Sequence, residues 1–143
     1  MIIDCHTHTF LSDGVLLPTE HIRRCKEKGY KILAITDHVD AGNIPSVLQT
    51  LLPAVDEANN YMDIKVFPGA ELIHVPPVRI EYNVNLAREK GAKVVVVHGE
   101  KNPFEPVASG TNKAGILAGC DILAHPGMIS DEDAALAAEH GVM

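Results

Sequence analysis

One pattern occurs three times in the sequence and constrains the fold more than any other feature. The segments EKGYKILAITDH, EKGAKVVVVHGE and LAGCDILAHPG each run from a helix end through a glycine and an apolar strand to a histidine. Continuous apolar runs are typical of strands in a parallel sheet that helices cover. Because crossovers between parallel strands are right-handed, the carboxyl ends of the strands should lie on one side. The pattern predicts an α/β fold. We expect part or all of a (β/α) barrel, and the alternative is an open doubly wound sheet.

The other elements extend this alternation along the chain. We predict five strands, at Met1–Cys5, Lys31–Thr36, Asp63–Ala70, Lys93–Val97 and Asp121–Ala124, and the start of a sixth at Val142-Met143. We predict five helices, from Pro18 to Gly29 with Thr19 as the cap, and at Ile44–Asn60, Arg79–Lys90, Thr111–Ala118 and Ser130–His140. Regular units without a linker indicate one domain over residues 1–143.

Composition excludes several classes of protein. The 46% of hydrophobic residues excludes a disordered chain, and the net charge of −7 disfavours a nucleic-acid binder. We expect no membrane association, because no apolar run reaches the roughly 18 residues of a membrane span and no signal peptide is recognisable. Three widely spaced cysteines indicate reduced thiols, which predicts a cytoplasmic protein.

Six of the eight histidines follow predicted strands, together with carboxylates. The residues at these strand ends are His6, His8, Asp37, His38, Glu71, His74, His98 and His125. The carboxyl ends of strands form the floor of active sites in barrels and open α/β sheets. Imidazoles and carboxylates are ligands of zinc, iron and manganese. The pattern therefore predicts a site for more than one metal ion.

Each histidine taken alone has a simpler interpretation, as a capped or solvent-facing side chain. Such residues at all five strand ends are hard to explain by coincidence, which favours the metal site. The assignment of His74 is weaker, because it lies in a loop after Glu71. Strand alternation places His6 and His8 on one side and turns Cys5 away from the metals, into the core. Glu71 has two carboxylate oxygens and is suited to bridge two ions.

These residues resemble the motifs of the polymerase and histidinol phosphatase (PHP) superfamily. Five segments resemble its successive motifs, in the correct order and over the whole chain: DCHTHT with the following SDG, then ITDH, GAE, VHG and AHPG. HVPP, VHGE and SGTN are most similar to its short, stand-alone, histidinol-phosphatase-like branch. The resemblance implies a distorted (β/α)7 TIM-like barrel, of which about five βα units are present, and metal-dependent hydrolysis of phosphoesters.

The resemblance also implies roles for individual residues and two or three divalent ions, Zn, Mn or Fe. It assigns His6, His8, Glu71 and His125 to one or two metals, and His38 and His98 to a further metal. Glu71 would bridge the ions, Asp13 lies near a position that sometimes binds a third metal, and Asp37 would fix a ligand imidazole. Glu71, His98 and Asp37 are the implied catalytic residues.

The sequence departs from the family pattern after His125. The resemblance implies a late strand with an Asp-x-His motif, and here the later polar residues fall in the last predicted helix. We therefore expect a family member truncated at its carboxyl end, without its last strands. Such a sheet would expose an apolar flank, for which formation of a homo-oligomer is one remedy.

The expected substrate is a small phosphomonoester similar to histidinol phosphate. Thr111 and Asn112 open a predicted helix whose N–H groups could receive a phosphate oxygen, although an ordinary helix cap explains them as well. Arg79 and Lys101 follow strand ends and are candidate anion contacts. Two alternatives remain open: a hydrolase of another bond, as in amidohydrolases, and a metal-binding fragment without catalytic activity.

Overall fold

The computed structural model describes residues 1–100 and 107–143, and strands and helices alternate along both segments. The strands are β1 (Ile2–Thr7), β2 (Tyr30–Ile35), β3 (His38–Val39), β4 (Lys65–Leu72), β5 (Val94–His98) and β6 (Ile122–Ala124). The helices are α1 (Pro18–Glu27), α2 (Ile44–Tyr61), α3 (Ile80–Glu89), α4 (Thr111–Leu117) and α5 (Asp131–His140), with a 3₁₀ turn at Pro77–Arg79 before α3. No helix in these two segments is both long and apolar enough to cross a bilayer.

The strands form a curled parallel sheet, which makes a half-barrel and confirms the predicted partial TIM-like barrel. The strand order is β1-β2-β4-β5-β6, and β3 pairs with β4 beyond the end of β2. Every strand pairing among the described residues is parallel, as expected for strands joined by helical crossovers.

Two apolar clusters form the core between the sheet and its helices. One joins Leu33 and Ile35 of β2 to α1 and α2, and the other joins Val95 and Val97 of β5 to α3 and α4. The first strand is less well covered, because Ile2 and Ile3 are 46% and 48% exposed. The helices thus cover β2 and β5, whereas β1, which carries His6, is exposed along its first residues.

Backbone hydrogen bonds place the last residue beside β6. Met143 N–H donates to Asp121 O at 3.0 Å, and Leu123 N–H donates to Met143 O at 2.8 Å. A residue that donates to one strand residue and accepts from the residue two further on has the hydrogen bonds of a parallel bridge. The chain therefore runs beside β6 at Val142-Met143, where a further strand was predicted to start.

Local details differ from the sequence-based boundaries. Helix α1 begins at Pro18 with Leu17 at its N-cap, and no side chain caps it, so the prediction of Thr19 as cap is wrong. Strand β3 was not predicted, because two residues carry too little pattern to be recognised. Strands β1 and β4 extend to Thr7 and Leu72, so His6 and Glu71 lie within strands and not after them.

Candidate metal centre

A local irregularity in β1 accompanies the approach of its two histidines. Asp4 pairs with Leu33 and Thr7 with Ile35, so three steps along β1 match two along β2. One strand therefore holds an extra residue, as in a β-bulge, which re-aims nearby side chains. His6 Nε2 and His8 Nε2 lie 3.1 Å apart, as their spacing predicted.

Cys5 does not lie in the core, so the prediction from strand alternation is wrong. Its side chain is half-buried and belongs to neither core cluster, since the bulge interrupts the regular alternation of β1. It lines a cavity of about 560 Å³ whose other walls come from α2, from the start of β4 and from the turn that leads into β5. None of the predicted metal ligands lines this cavity, so it is separate from the metal centre.

Strand register brings His38 to Glu71. The short strand β3 pairs with the end of β4 so that His38 is directly opposite Glu71. On the other side of β4, Glu71 pairs with Val96, two residues before His98. His38 and Glu71 thus lie at the same level of the sheet, and His98 lies two residues further along β5.

Three imidazoles converge on one carboxylate oxygen. Glu71 Oε2 lies 2.8 Å from His6 Nε2, 3.0 Å from His38 Nε2 and 3.3 Å from His8 Nε2. Glu71 is fully buried, and its Oε1 has no hydrogen-bond partner among the described residues. A buried carboxylate oxygen without a partner is costly unless a cation or a donor satisfies it.

The surroundings set the protonation of these groups. Burial raises the pKa of Glu71, but hydrogen bonds from His38 and His6 and their charges outweigh it and lower this pKa to about 2. Burial lowers the pKa of His8, and the charge of Glu71 opposes that shift only in part. Glu71 is therefore ionised and His8 favours its neutral form, which are the forms that bind metals.

The donor atoms fit divalent cations in two groups. His6, Glu71 and His125 each bring one donor atom within 4.8 Å of the others, and so do His8, Asp13 and His38. Nitrogen and carboxylate oxygen together suit Zn, Mn or Fe. Glu71 Oε2 also contacts His8 and His38 of the second group, which supports the expected bridging position.

The grouping differs from the expected one at His38 and His98. His38 groups with His8 and Asp13, whereas the resemblance paired it with His98. The rings of His98 and His38 are 6.1 Å apart, and the ring of His98 is 5.1 Å from that of His125. His98 Nδ1 is 3.1 Å from Gly99 O, so Nδ1 carries the proton and Nε2 presents the lone pair.

Asp37 was expected to contact a ligand imidazole, but its partners lie in the loop after β1. Its buried carboxylate accepts hydrogen bonds from Thr9 N–H at 2.6 Å, Thr9 Oγ1 at 2.8 Å and Ser12 Oγ at 2.8 Å. This loop carries His8 and Asp13, whose facing atoms are 3.5 Å apart. The structure thus makes Asp37 a positioning residue, and the Ser-Asp-Gly motif was the available signal for its partner Ser12.

The side chain of Glu100, which was not predicted to have a role, binds the N–H groups at the start of α4. Glu100 Oε1 accepts hydrogen bonds from Gly110 N–H at 3.0 Å and Asn112 N–H at 2.8 Å. Asn112 in turn accepts from Glu100 N–H at 3.0 Å and donates to Pro126 O at 3.1 Å, while Thr111 Oγ1 donates to Ala108 O at 2.6 Å. The carboxylate of Glu100 thus lies where Thr111 and Asn112 were expected to receive a phosphate oxygen.

Among the described residues, Arg79 and His74 belong to neither ligand group. Arg79 is exposed, and its guanidinium stacks 4.2 Å from the centre of the Tyr82 ring. Lys101 lies outside the described residues. His74 and His125 both have a positive φ, of 56° and 50°, which is an uncommon backbone conformation that often marks functional positions.

Comparison with known proteins finds a matching family model and relatives of this chain. A family model described as PHP domain matches residues 4–126. An uncharacterized protein of Methanocaldococcus jannaschii is 44% identical over 136 residues, which are 94% of this chain and 62% of that protein.

Two further relatives have names that state an activity. The DNA polymerase/3'-5' exonuclease PolX of Bacillus subtilis is 27% identical over 86% of this chain and 23% of its own length. The 3',5'-nucleoside bisphosphate phosphatase of Chromobacterium violaceum is 30% identical over 55% of this chain and 28% of its own. The chain thus spans less than two thirds of the length of each of these three relatives.

Proposed function

The chain belongs to the PHP domain family, and from this premise we propose that it hydrolyses a small phosphomonoester at a centre of two or three divalent metal ions. The family comprises metal-dependent phosphoesterases, which supports this reaction class. The activity of this chain, its substrate, the metal and the number of ions are all parts of the proposal.

The observation that carries the proposal is the pair of ligand groups around Glu71. His6, Glu71 and His125 would hold one ion, and His8, Asp13 and His38 a second. When bound there, divalent ions supply Lewis acidity that holds phosphate oxygens and lowers the pKa of a water. The buried Oε1 of Glu71 has no described hydrogen-bond partner, which supports a cation next to it.

The chain's own residues orient these ligands and fix their protons. With a pKa of about 2, Glu71 is an anion at neutral pH and does not serve as a proton donor. His98 keeps its proton on Nδ1, where Gly99 O accepts it, and presents Nε2 toward the centre. Asp37 holds the loop that places Asp13 against His8, so the second ligand group depends on it.

Two observations support a small monoester. The relative from Chromobacterium violaceum is by its name a phosphatase, which removes a terminal phosphate. The cavity next to Asp13 and His38 measures about 290 Å³, which suits a compact organic group. A compound similar to histidinol phosphate satisfies both conditions.

The test is phosphate release from a panel of phosphomonoesters by protein loaded with Mn²⁺ or Zn²⁺. We expect turnover that Glu71→Gln lowers at least 100-fold, because the anion next to both ligand groups is lost. Glu57→Gln changes an exposed glutamate of α2 in the same way and should retain the activity.

Two results would contradict the proposal. Hydrolysis of phosphodiesters in place of monoesters would assign the chain to nuclease chemistry. No turnover of either class by fully loaded protein would make it a metal-binding domain without catalytic activity.

A further inference from the structure

A second cavity continues from the metal centre along the loop after β4. It measures about 330 Å³, and Asp40, His74, Pro76, Arg79 and Asn83 contribute to its lining. We name it the Asn83 pocket. It shares Asp40 and His74 with the cavity that borders Asp13 and His38. A ligand with its phosphate at the metals can therefore extend past His74 into this pocket.

Asn83 provides a buried acceptor at this pocket. Its side chain is 1% exposed, and its Nδ2 donates to Arg79 O at 2.8 Å. That bond determines the orientation of the amide, since a carbonyl oxygen can only accept. The Oδ1 atom is buried and receives no hydrogen bond from the described residues. A buried amide oxygen without a donor is uncommon and indicates a missing partner.

The other polar groups of the pocket also favour a donor. Asp40 is an exposed residue of the lining, and its Oδ1 accepts from Gly42 N–H at 2.7 Å. Val75 and Pro76 supply apolar walls. Two acceptors between apolar walls match a flat organic group that carries N–H donors.

We propose that the Asn83 pocket binds the organic part of the substrate, and that Asn83 Oδ1 accepts a hydrogen bond from an amino or ring N–H of this part. The inference rests on the proposed phosphatase function and makes its substrate a nitrogen-bearing phosphomonoester. Arg79 flanks the entrance, where its guanidinium is held against Tyr82 and can stack on the same group.

The experiment compares substrates that differ only in one amino group. Phenyl phosphate and 4-aminophenyl phosphate form a short pair, and purine riboside and adenosine 5'-monophosphates form a longer one. For at least one pair we expect kcat/KM to favour the amino compound by roughly tenfold, the effect of one well-made hydrogen bond to a buried acceptor. Asn83→Leu should bring this ratio close to one.

Two further variants separate recognition from folding. Ala41→Leu places a larger side chain at the exposed rim of the pocket and should lower the same ratio without touching Asn83. Asn59→Leu is the matched control, because Asn59 Nδ2 and Oδ1 are both paired, with Val66 O and N at 2.8 and 2.9 Å. It should cost stability and leave the ratio unchanged.

A binding measurement keeps this inference distinct from the proposed function. In ¹⁵N–¹H spectra, 4-aminophenol or adenosine should shift the side-chain amide signal of Asn83, whereas phenol or purine riboside should not. If no ester is hydrolysed, the phosphatase proposal fails while this shift still supports the pocket. A ratio near one for both pairs in the wild-type protein, or no amide shift with either amino compound, overturns the inference.

Discussion

Three imidazole nitrogens surround one oxygen of Glu71, and this contact determines which protons the centre holds. The hydrogen bonds from His38 and His6 keep the pKa of Glu71 at about 2 despite burial. Burial also lowers the pKa of His8. The ligand set is therefore deprotonated at neutral pH at these two positions, so a metal has few protons to displace there.

The three cysteines should differ in reactivity. Burial, with the nearby Asp121, raises the pKa of Cys120 to about 12, and burial raises the pKa of Cys25. Cys5 lines a cavity that is open to solvent. At pH 8 we expect a disulfide reagent to modify Cys5 in the native protein and the other two only after unfolding. Peptide mapping of the labelled protein checks this, and early labelling of Cys120 would contradict it.

The raised pKa of Cys120 also predicts how stability changes at alkaline pH. In the unfolded chain this thiol ionises near its ordinary pKa of 9.0, whereas in the native protein it does so near 12. Between these values the unfolded state has lost a proton that the native state keeps, so the free energy of unfolding falls as pH rises. Urea titrations from pH 8 to 10.5 should show a smaller fall in Cys120→Ala, and equal slopes would contradict the assignment.

Gly14 allows the loop after β1 to close on itself. A Cβ at this position would lie 2.6 Å from His8 O and 2.8 Å from His8 C, which are backbone atoms that cannot turn away. We expect Gly14→Ala to destabilise the protein by about 1–3 kcal/mol, because the loop must shift. It should also weaken metal binding, since the same loop carries His8 and Asp13.

The control for Gly14 is a glycine whose added Cβ would approach a side chain and no backbone atom. A Cβ on Gly42 meets only the side-chain oxygen of Asp40, at 3.1 Å. Gly42→Ala should therefore change the free energy of unfolding by less than about 0.5 kcal/mol. Equal effects of the two substitutions in urea denaturation would show that backbone crowding at Gly14 does not limit the loop.

At the scale of elements, Glu100 takes the place of an N-terminal capping residue for α4. Its carboxylate accepts from Gly110 and Asn112, two of the N–H groups that the helix cannot satisfy internally. We expect Glu100→Ala to cost about 1–2 kcal/mol of stability, as the loss of a cap does. Glu132→Ala, which removes an exposed carboxylate from α5, is the control and should have little effect.

The elements that were predicted correctly have strong local patterns. The repeated glycine, apolar strand and histidine located β2, β5 and β6. Ser130, the predicted start of the last helix, caps α5, with Asp133 N–H donating to its hydroxyl at 3.1 Å. The elements that were missed depend on distant partners. Strand β3 exists because its two residues meet the end of β4, and that register was not visible in the sequence.

In the candidate site too, the features with a local sequence pattern were predicted, and those that depend on distant partners were not. The strand-end pattern identified five of the six members of the two ligand groups, and only the family resemblance pointed to the sixth, Asp13. Their partition into groups follows from the curl of the sheet. Of the partners of Asp37, Ser12 had a signal in the Ser-Asp-Gly motif, whereas Thr9 reaches Asp37 only through the fold of the loop. The Asn83 pocket was missed since Asn83 lies in a helix with no motif around it.

At the scale of the whole molecule, the half-barrel leaves one edge uncovered. Strand β1 lies at the end of the strand order, and Ile2 and Ile3 are about half exposed on it. Open apolar edges favour association. We expect sedimentation velocity to show a concentration-dependent dimer that Ile3→Lys weakens, while Val78→Lys, at an exposed position away from this edge, does not. A monomer at all concentrations would contradict this expectation.

Metal removal connects the centre to the stability of the entire fold. The ligands come from β1, the loop after it, β3, β4 and the segment after β6, so an ion bound there links strands from one end of the sheet to the other. Ligands that bind only the native state stabilise it, by about 2.7 kcal/mol at a concentration 100-fold above Kd. We therefore expect EDTA to lower Tm by roughly 10 °C.

Elemental analysis and variants complete this test. Protein purified without added metal or chelator should contain at least two equivalents of metal per chain, and His6→Ala and His8→Ala should each lose metal together with the effect of EDTA on Tm. His140→Ala, on α5 and outside both ligand groups, should keep both properties. A metal content near zero, with the same Tm in EDTA and in added Mn²⁺, would mean that these strands do not assemble the centre unaided. The convergence of three imidazoles on Glu71 would then have to be stabilised by hydrogen bonds to the carboxylate alone.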